Sequence, residues 1–455
     1  MKINNLKQLT VAAMLLLTAA NVSAKDNIDY VDPFIGTTNF SVCNPGAVRP
    51  HGLMSVVPFN VMGSDINQWD KDKRWWSAPY EYNNKYFTGF AHVTLSGVGC
   101  PEMGTLLTMP TTGELNVDYR SYGSEYTDEV AHPGYYSNRL TKYGIRCEVT
   151  STPRSSVERY TFPKGQGNLL FNLGNGLTNE IGATLRRVSD TEFEGFRLLG
   201  TFCYNPDAVF PMYFVVRVSK QPKQSGYWKK QPEMKGAAAE WDQYSGKYKL
   251  YPRYGRDIAG NDIGYYMTFD CAEETQVEVQ VGVSFVSIAN ARENLEAEQP
   301  VCDFNTVASE ARADWARTLD RVTVEGGTEE QRRVFYTALY HTQIHPTVLQ
   351  DVNGQYPKME GDEILTTKGN RYTVFSLWDT YRNLSQLETL LYPDKQIDMV
   401  NSMIDMYKEW GWMPKWELFG RETWTMEGDP SIRVITDTYL KGLPGVASDP
   451  AYRAV

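Results

Sequence analysis

TQVEVQVGVSFVSI (Thr275–Ile288) gives way, a few residues later, to FNTVASEARADWARTLDRV (Phe304–Val322). The first segment alternates apolar and polar residues with the period of two that a strand needs. The second places Val307, Ala311, Trp315 and Leu319 on one face of a helix. The period changes near residue 290, and that change sets the fold class: a β-domain followed by helices.

The same reading extends outward in both directions. Tyr135–Pro163 alternates polar and apolar positions, with Gly and Pro at its turns, and Phe210–Ser219 carries Phe214, Val215, Val216 and Val218 in a run suited to a buried strand. Short strands divided by Gly, Asn and Asp over 28–290 predict a β-sandwich, with Gln221–Gly260 as a long loop or hairpin excursion. After residue 290 the spacing predicts helices over Ala289–Ala297, Phe304–Val322, Thr328–Gln343, Ser376–Leu391, Asp394–Trp410 and Pro430–Leu443. Thr328 is placed to cap its helix, with Glu329 and Glu330 in the first turn where the macrodipole favours acids. The expected organisation is a signal peptide over 1–24, a sandwich over 25–290, a helical linker over 291–327 and the N-terminal part of an (α/α)6 toroid over 328–455. About half of a twelve-helix toroid fits after residue 328, so the barrel is expected to be incomplete within these 455 residues.

Lys2 and Lys7, the apolar run Val11–Ala20 and the small residues Val22-Ser23-Ala24 have the form of an export signal. The run is too short to span a bilayer, and no later segment is long and apolar enough. The expected location is periplasmic or secreted, with no membrane insertion. The formal charge of −10 includes those two lysines, and residues 1–24 contain no acid, so the chain beyond them carries −12. So acidic a surface argues against nucleic acid as a partner. Six cysteines (43, 100, 147, 203, 271 and 302) form no C-x-x-C pair, which argues against zinc and thioredoxin-like chemistry. Export permits disulfides, and spacing does not choose among the pairings or between disulfides and buried thiols.

Function is carried by Tyr372–Val434. There YTVFSLWDTYRNL and WGWMPKWELFGRETWTMEGDPSIRV interleave aromatic rings with carboxylates more densely than a plain core requires. Rings stack on the C–H faces of a sugar, and Asp, Glu and Arg bind its hydroxyls, so the stretch predicts a pyranose pocket at helix ends.

Motifs in a fixed order add a resemblance. They are Asp32-Pro33-Phe34-Ile35-Gly36-Thr37, Asn44-Pro45-Gly46-Ala47, Gly89-Phe90-Ala91-His92 with Leu95-Ser96-Gly97, and Phe335-Tyr336-Thr337-Ala338-Leu339-Tyr340-His341. Phe375-Ser376-Leu377-Trp378-Asp379-Thr380-Tyr381-Arg382, Pro414-Lys415-Trp416-Glu417-Leu418, Glu422-Thr423 and Tyr439-Leu440-Lys441-Gly442 follow. Over nearly the whole chain beyond residue 24, this resembles family 92 of the glycoside hydrolases, the exo-acting, calcium-dependent, inverting α-mannosidases. The resemblance implies a β-sandwich, linking helices and an (α/α)6 barrel, a mannose pocket between the two domains, and calcium as cofactor. It implies a mannose-terminated glycan as partner, with α-1,2 linkages foremost. It places the family's general acid and base in segments beyond residue 455, so no catalytic carboxylate and no metal ligand is assigned here. Three departures fall in segments expected near the pocket mouth: Thr94 where the family usually has a second His, the loop Cys100–Gly104, and the longer Tyr356–Asp362.

The candidate substrate-binding residues are Trp378, Asp379, Arg421, Glu422 and His92. Trp378 would pack on the sugar face and Asp379 would accept hydrogen bonds from its hydroxyls; alternatively the pair is a buried Trp and a helix cap. Arg421 and Glu422 would reach the sugar from a loop before a helix, or pin that loop internally. His92 would bond sugar or a pocket carboxylate from a sandwich loop, or be a satisfied structural histidine. Glu417 is read as packing or pocket equally, and Trp75 and Trp76 as an outer subsite or loop packing. His341 and His345, at i and i+4, have the spacing of metal ligands, but no carboxylate completes an H-E-x-x-H pattern, so they read as core residues or supports of the pocket; Asp351 reads as a turn residue. Two other functions fit the same architecture: a sandwich-plus-toroid glycoside phosphorylase, which would need an anion site, and a non-catalytic glycan-binding fragment.

Overall fold

The computed structural model describes residues 25–38, 42–61, 77–99, 101–201, 205–234, 243–447, 450, 451 and 453. The expected signal peptide, Trp75, Trp76, Cys100 and Cys203 lie outside them.

Two antiparallel sheets form the N-terminal part. One has eight strands, with Gly89–Thr94, Met103–Thr112 and Gly165–Asn172 near its centre; the other has ten, with Val209–Val218, Thr275–Ser284 and Ser155–Phe162 at its centre. Strand Thr275–Ser284 shows why alternation specifies this arrangement. Val277, Val279, Val281 and Val283 are fully buried in the core. On the opposite face a Cβ on Gly282 would lie 2.5 Å from the carbonyl of Ala291, so only glycine lets the helix Ile288–Glu298 approach the sheet this closely. The excursion Gln221–Gly260 contains a hairpin, Gln224–Lys230 paired with Tyr248–Pro252, which extends the eight-stranded sheet.

The helix Phe304–Leu319 starts where Asp303 accepts the amides of Asn305 and Thr306. It buries Phe304, Val307, Ala311, Trp315 and Leu319, and Trp315 Nε1 donates to the carbonyl of Val48 at 2.7 Å, fastening it to the sandwich. The helix Glu329–Thr342 begins with a reciprocal capping box between Thr328 and Gln331. Thr328→Ala removes one acceptor from that box and is expected to cost about 1 kcal/mol, read as a lowered urea midpoint at unchanged m-value.

The predicted helix Ser376–Leu391 is two helices, Leu377–Thr380 and Leu384–Leu391. Gln386 takes the carbonyl of Tyr381, which a continuous helix would need for its own ladder. The guanidinium of Arg382 lies 4.9 Å from the ring centroids of both Trp378 and Tyr381. The helix Pro393–Trp410 buries Met399, Val400, Met403 and Ile404 against Leu377, Val434 and Ile435. Among the described residues the helices make no closed ring. Between residues 347 and 422 lie short strands that periodicity does not reveal, including a three-stranded sheet of Phe375–Ser376, Trp416–Leu418 and Arg421–Glu422.

Buried polar bonds lock the two parts together. Asp351 starts a turn, as read from sequence, and its buried carboxylate also accepts from Ser284 Oγ (2.7 Å), Asn290 Nδ2 (2.8 Å) and Asn294 Nδ2 (2.6 Å). His51 of the sandwich bonds the carbonyl of Pro346 at 2.7 Å and Gln343 Oε1 at 3.1 Å. Cys147, Cys271 and Cys302 are thiols, so none of these three takes part in a disulfide. Among the described residues no helix is long and apolar enough to cross a membrane.

Candidate active site

The strand Gly89–Thr94 runs into a loop whose residues Ser96, Gly97 and Val98 meet the helical part. Gly97 holds a left-handed φ of 90°, and its amide bonds the carbonyl of Val42 at 3.0 Å. Asn44 Nδ2 anchors the carbonyl of Leu95 at 3.1 Å. Opposite this loop, the helix Glu329–Thr342 ends, and the chain continues through His345 and Pro346. Between them lies a cavity of about 160 Å³, lined from the helical side by His341, His345, Val374, Ser376, Asp379 and Thr380, among others.

Asp379 is the one carboxylate in that wall among the described residues. It is exposed, and Ser376 Oγ donates to its Oδ2 at 2.5 Å, which aims the group. Trp378 beside it is 37% exposed but does not line the cavity, and the Arg382 guanidinium lies 4.9 Å from its ring centroid. The backbone amide of Ser96 donates to His345 Nε2 at 3.1 Å. That nitrogen is therefore the acceptor, and the ring proton sits on Nδ1, which is buried without a partner among the described residues. His341 Nε2 is likewise buried without one. Burial pushes the His345 pKa down to about 4 and lowers that of His341 as well. Both rings are thus predominantly neutral at pH 7, each offering one donor and one acceptor. One carboxylate, two neutral imidazoles and a loop of small residues can orient a polyol. They do not supply the two carboxyl groups, ~6.5–9.5 Å apart, that inverting glycoside hydrolysis requires.

The other three candidates are elsewhere. His92 is not at a loop reaching the helices. It is fully buried in the sandwich, in a strand whose six residues are all buried, with Nδ1 on the carbonyl of Leu106 at 2.7 Å and Nε2 on Glu158 at 2.6 Å. Both ring nitrogens are committed within the core. Arg421 and Glu422 lie on a short strand, not in an open loop before a helix. Arg421 binds the carbonyl of Gly361 at 3.1 Å and Asp362 at 3.2 Å. Glu422 is 1% exposed, and its carboxylate accepts the amides of Lys415 (2.8 Å), Trp416 (3.0 Å) and Thr423 (3.1 Å). Both pin the loop, and neither lines the cavity.

Glu417, fully buried, accepts Thr373 Oγ1 (2.8 Å), the amide of Gly420 (2.6 Å) and that of Val374 (3.1 Å). Burial raises its pKa to about 7. Through Val374 it positions the cavity wall. Of the departing segments, Thr94 is a buried partner of Ser55 (2.9 Å between hydroxyls), and Tyr356–Asp362 belongs to a hairpin pairing Gln355–Pro357 with Ile364–Thr366. Neither lines the cavity. The cavity wall also holds Ser96, His341 and His345, which the sequence reading did not name as substrate-binding. The Leu95-Ser96-Gly97 motif and the four-residue spacing of the histidines were the available signals. Among the described residues no group of three or more His, Cys, Asp or Glu side chains is placed to hold a metal ion.

The cavity lies where a β-sandwich meets a helical array. The model of the glycosyl hydrolase family 92 N-terminal domain matches residues 30–284, and that of the family 92 catalytic domain matches 290–455. The chain belongs to glycosyl hydrolase family 92. A family GH92 alpha-mannosidase from Bacteroides thetaiotaomicron superposes with a TM-score of 0.82 at 28% identity, over 94% of this chain and 56% of that one. Its structure is also known in complex with mannoimidazole. A family GH92 inverting mannosidase of the same organism shares the fold, with a TM-score of 0.77 at 24% identity, over 95% of this chain and 55% of that one. An uncharacterized secreted glycosidase of Arthroderma benhamiae is 25% identical over 470 residues, covering 98% of this chain and 54% of its own length. The chain spans about half the length of the relatives it matches.

Proposed function

We propose that this chain is the sandwich and the substrate-gripping portion of an exported, exo-acting α-mannosidase that hydrolyses terminal α-mannosyl linkages, α-1,2 foremost, of N-glycans or mannan with inversion. The observation that carries it is the cavity between the Ser96–Val98 loop and Asp379 in a chain of family 92. In this reading Asp379 accepts hydrogen bonds from mannose hydroxyls, Trp378 stacks on the C–H face of the ring, and the Nδ1–H of His345 donates to a ring oxygen substituent. The secreted description of the fungal relative supports export.

The test is mannose release from α-mannosyl glycans, by the 455-residue chain alone and by the chain joined to the further length its relatives possess. Proton NMR reads the first anomer formed, and β-mannose is the inverted product. Calcium dependence belongs to the same proposal: a chelator is expected to lower the rate at least about tenfold, with recovery on added calcium. Undiminished turnover in chelator would remove the ion from the mechanism. Release that requires phosphate and yields a sugar 1-phosphate would assign the phosphorylase instead. Sugar binding without turnover by either form would leave the glycan-binding reading.

A further inference from the structure

A second cavity, of about 370 Å³, opens where the sandwich, the helix Phe304–Leu319 and the helix Pro393–Trp410 meet. Its wall holds Arg49, Arg317, Arg321 and Lys395 and one carboxylate, Asp314. In a chain of net charge −10 this is a local reversal of sign.

The charges do not cancel within the wall. The two oxygens of Asp314 are taken by Arg49 and Arg317. Arg321 and Lys395 make no ion pair with any described residue; the Lys395 ammonium lies 5.7 Å from the centroid of the Tyr392 ring. Behind the wall, Glu310 and Glu298 act on Arg49 at longer range, and Glu388 acts on Lys395. Glu298 is paired with Arg154 at 2.9 Å, and Glu388 Oε1 is taken by Gln343 at 2.5 Å. Burial, with Arg321 adding to it and Glu388 opposing, holds Lys395 down at about 8. Arg49 is 7% exposed, and its Nε–H is buried without a hydrogen-bond partner among the described residues. A buried guanidinium donor left unmade is costly.

We propose that this junction cavity binds a phosphate group, as inorganic phosphate or as the phosphomonoester of a hexose. A phosphate offers several acceptor oxygens to forked guanidinium groups and to a point-charge ammonium. The volume lies within the range of small-ligand pockets, roughly 300–1,000 Å³, and exceeds what the anion alone fills. The site is separate from the Asp379 cavity and does not depend on the mannosidase proposal.

Calorimetric titration at constant ionic strength tests it with three probes: inorganic phosphate, a hexose 6-phosphate and the same hexose without phosphate, against a chloride control. Saturable binding of phosphate is expected, and Arg321→Gln with Lys395→Gln is expected to weaken it at least about tenfold. Tighter binding of the hexose phosphate would place the sugar in the remaining volume; equal binding would make the phosphate group the whole ligand. Either supports the site. No binding beyond the chloride control, equal binding by the unphosphorylated hexose, or equal affinity in the double variant would overturn it. Arg321 is exposed and unpaired, so Arg321→Gln alone, with its fold checked by circular dichroism and an expected loss of about threefold, gives the reading if the double variant is unstable.

Discussion

Replacing Glu422 by Ala is expected to destabilise the chain by about 3–5 kcal/mol, read as a lowered denaturant midpoint. The carboxylate sits under three backbone amides, those of Lys415, Trp416 and Thr423, and its own amide donates to Glu360 Oε1 at 2.6 Å. The side chain is almost wholly removed from water, and desolvation raises its pKa. Truncation leaves the amides of Lys415 and Trp416 without that acceptor, while the amide of Thr423 keeps the carbonyl of Trp416 at 3.1 Å; each unmade N–H is worth roughly 1–3 kcal/mol, not strictly additively. Glu422→Gln keeps the shape but turns an amide group toward amide donors, so a smaller loss of about 1–2 kcal/mol is expected. Sugar affinity in whatever Gln variant remains folded is expected to stay within about twofold of the parent, since the group does not line the cavity. A Glu422→Ala chain as stable as the parent but unable to bind sugar would reverse this assignment and restore Glu422 to the substrate site.

Glu422 also shows where sequence reading reaches its limit. A carboxylate between Arg421 and Thr423 looks available, because its partners are backbone amides, which have no signature in side-chain identity. His92 was misplaced for a related reason. GFAHVT is buried on both faces, so alternation gives no hint of direction, and the partner Glu158 is 66 residues away. What was legible was local. The face of Val307, Ala311, Trp315 and Leu319, the Thr328 cap and the alternation of Thr275–Ser284 each express one element's own period. The place of Asp379 in the cavity wall was legible because Ser376-Leu377-Trp378-Asp379 is contiguous and brings its own aiming hydroxyl. His341 and His345 were half legible: their spacing assumed a continuous helix, but the helix ends at Thr342. His345 therefore turns to the amide of Ser96, a contact across 249 residues that only the assembled junction creates.

Asp379→Ala is expected to show the opposite pattern to Glu422→Ala: near-parental stability with a large loss of sugar recognition. The side chain is exposed and, among the described residues, accepts one hydrogen bond, from Ser376. Its removal should therefore change stability by no more than about 0.5–1 kcal/mol. Hydrogen bonds from sugar hydroxyls to an ionised carboxylate are worth about 1.5–3 kcal/mol, which corresponds to a ten- to hundredfold weakening at about 1.4 kcal/mol per tenfold. Mannoimidazole or mannose titrated against the chain, and against the chain joined to the further length of its relatives, reads that loss directly. Asp379→Asn retains one carbonyl acceptor and should fall between parent and Ala. Ser376→Ala, which frees the carboxylate without removing it, should cost less than either, because only the aim is lost. If Asp379→Ala binds mannose as tightly as the parent, the cavity facing Ser96–Val98 is not where the sugar sits. The exposed rings of Trp412 and Trp424, which are 70% and 54% exposed, would then be the next surface to examine.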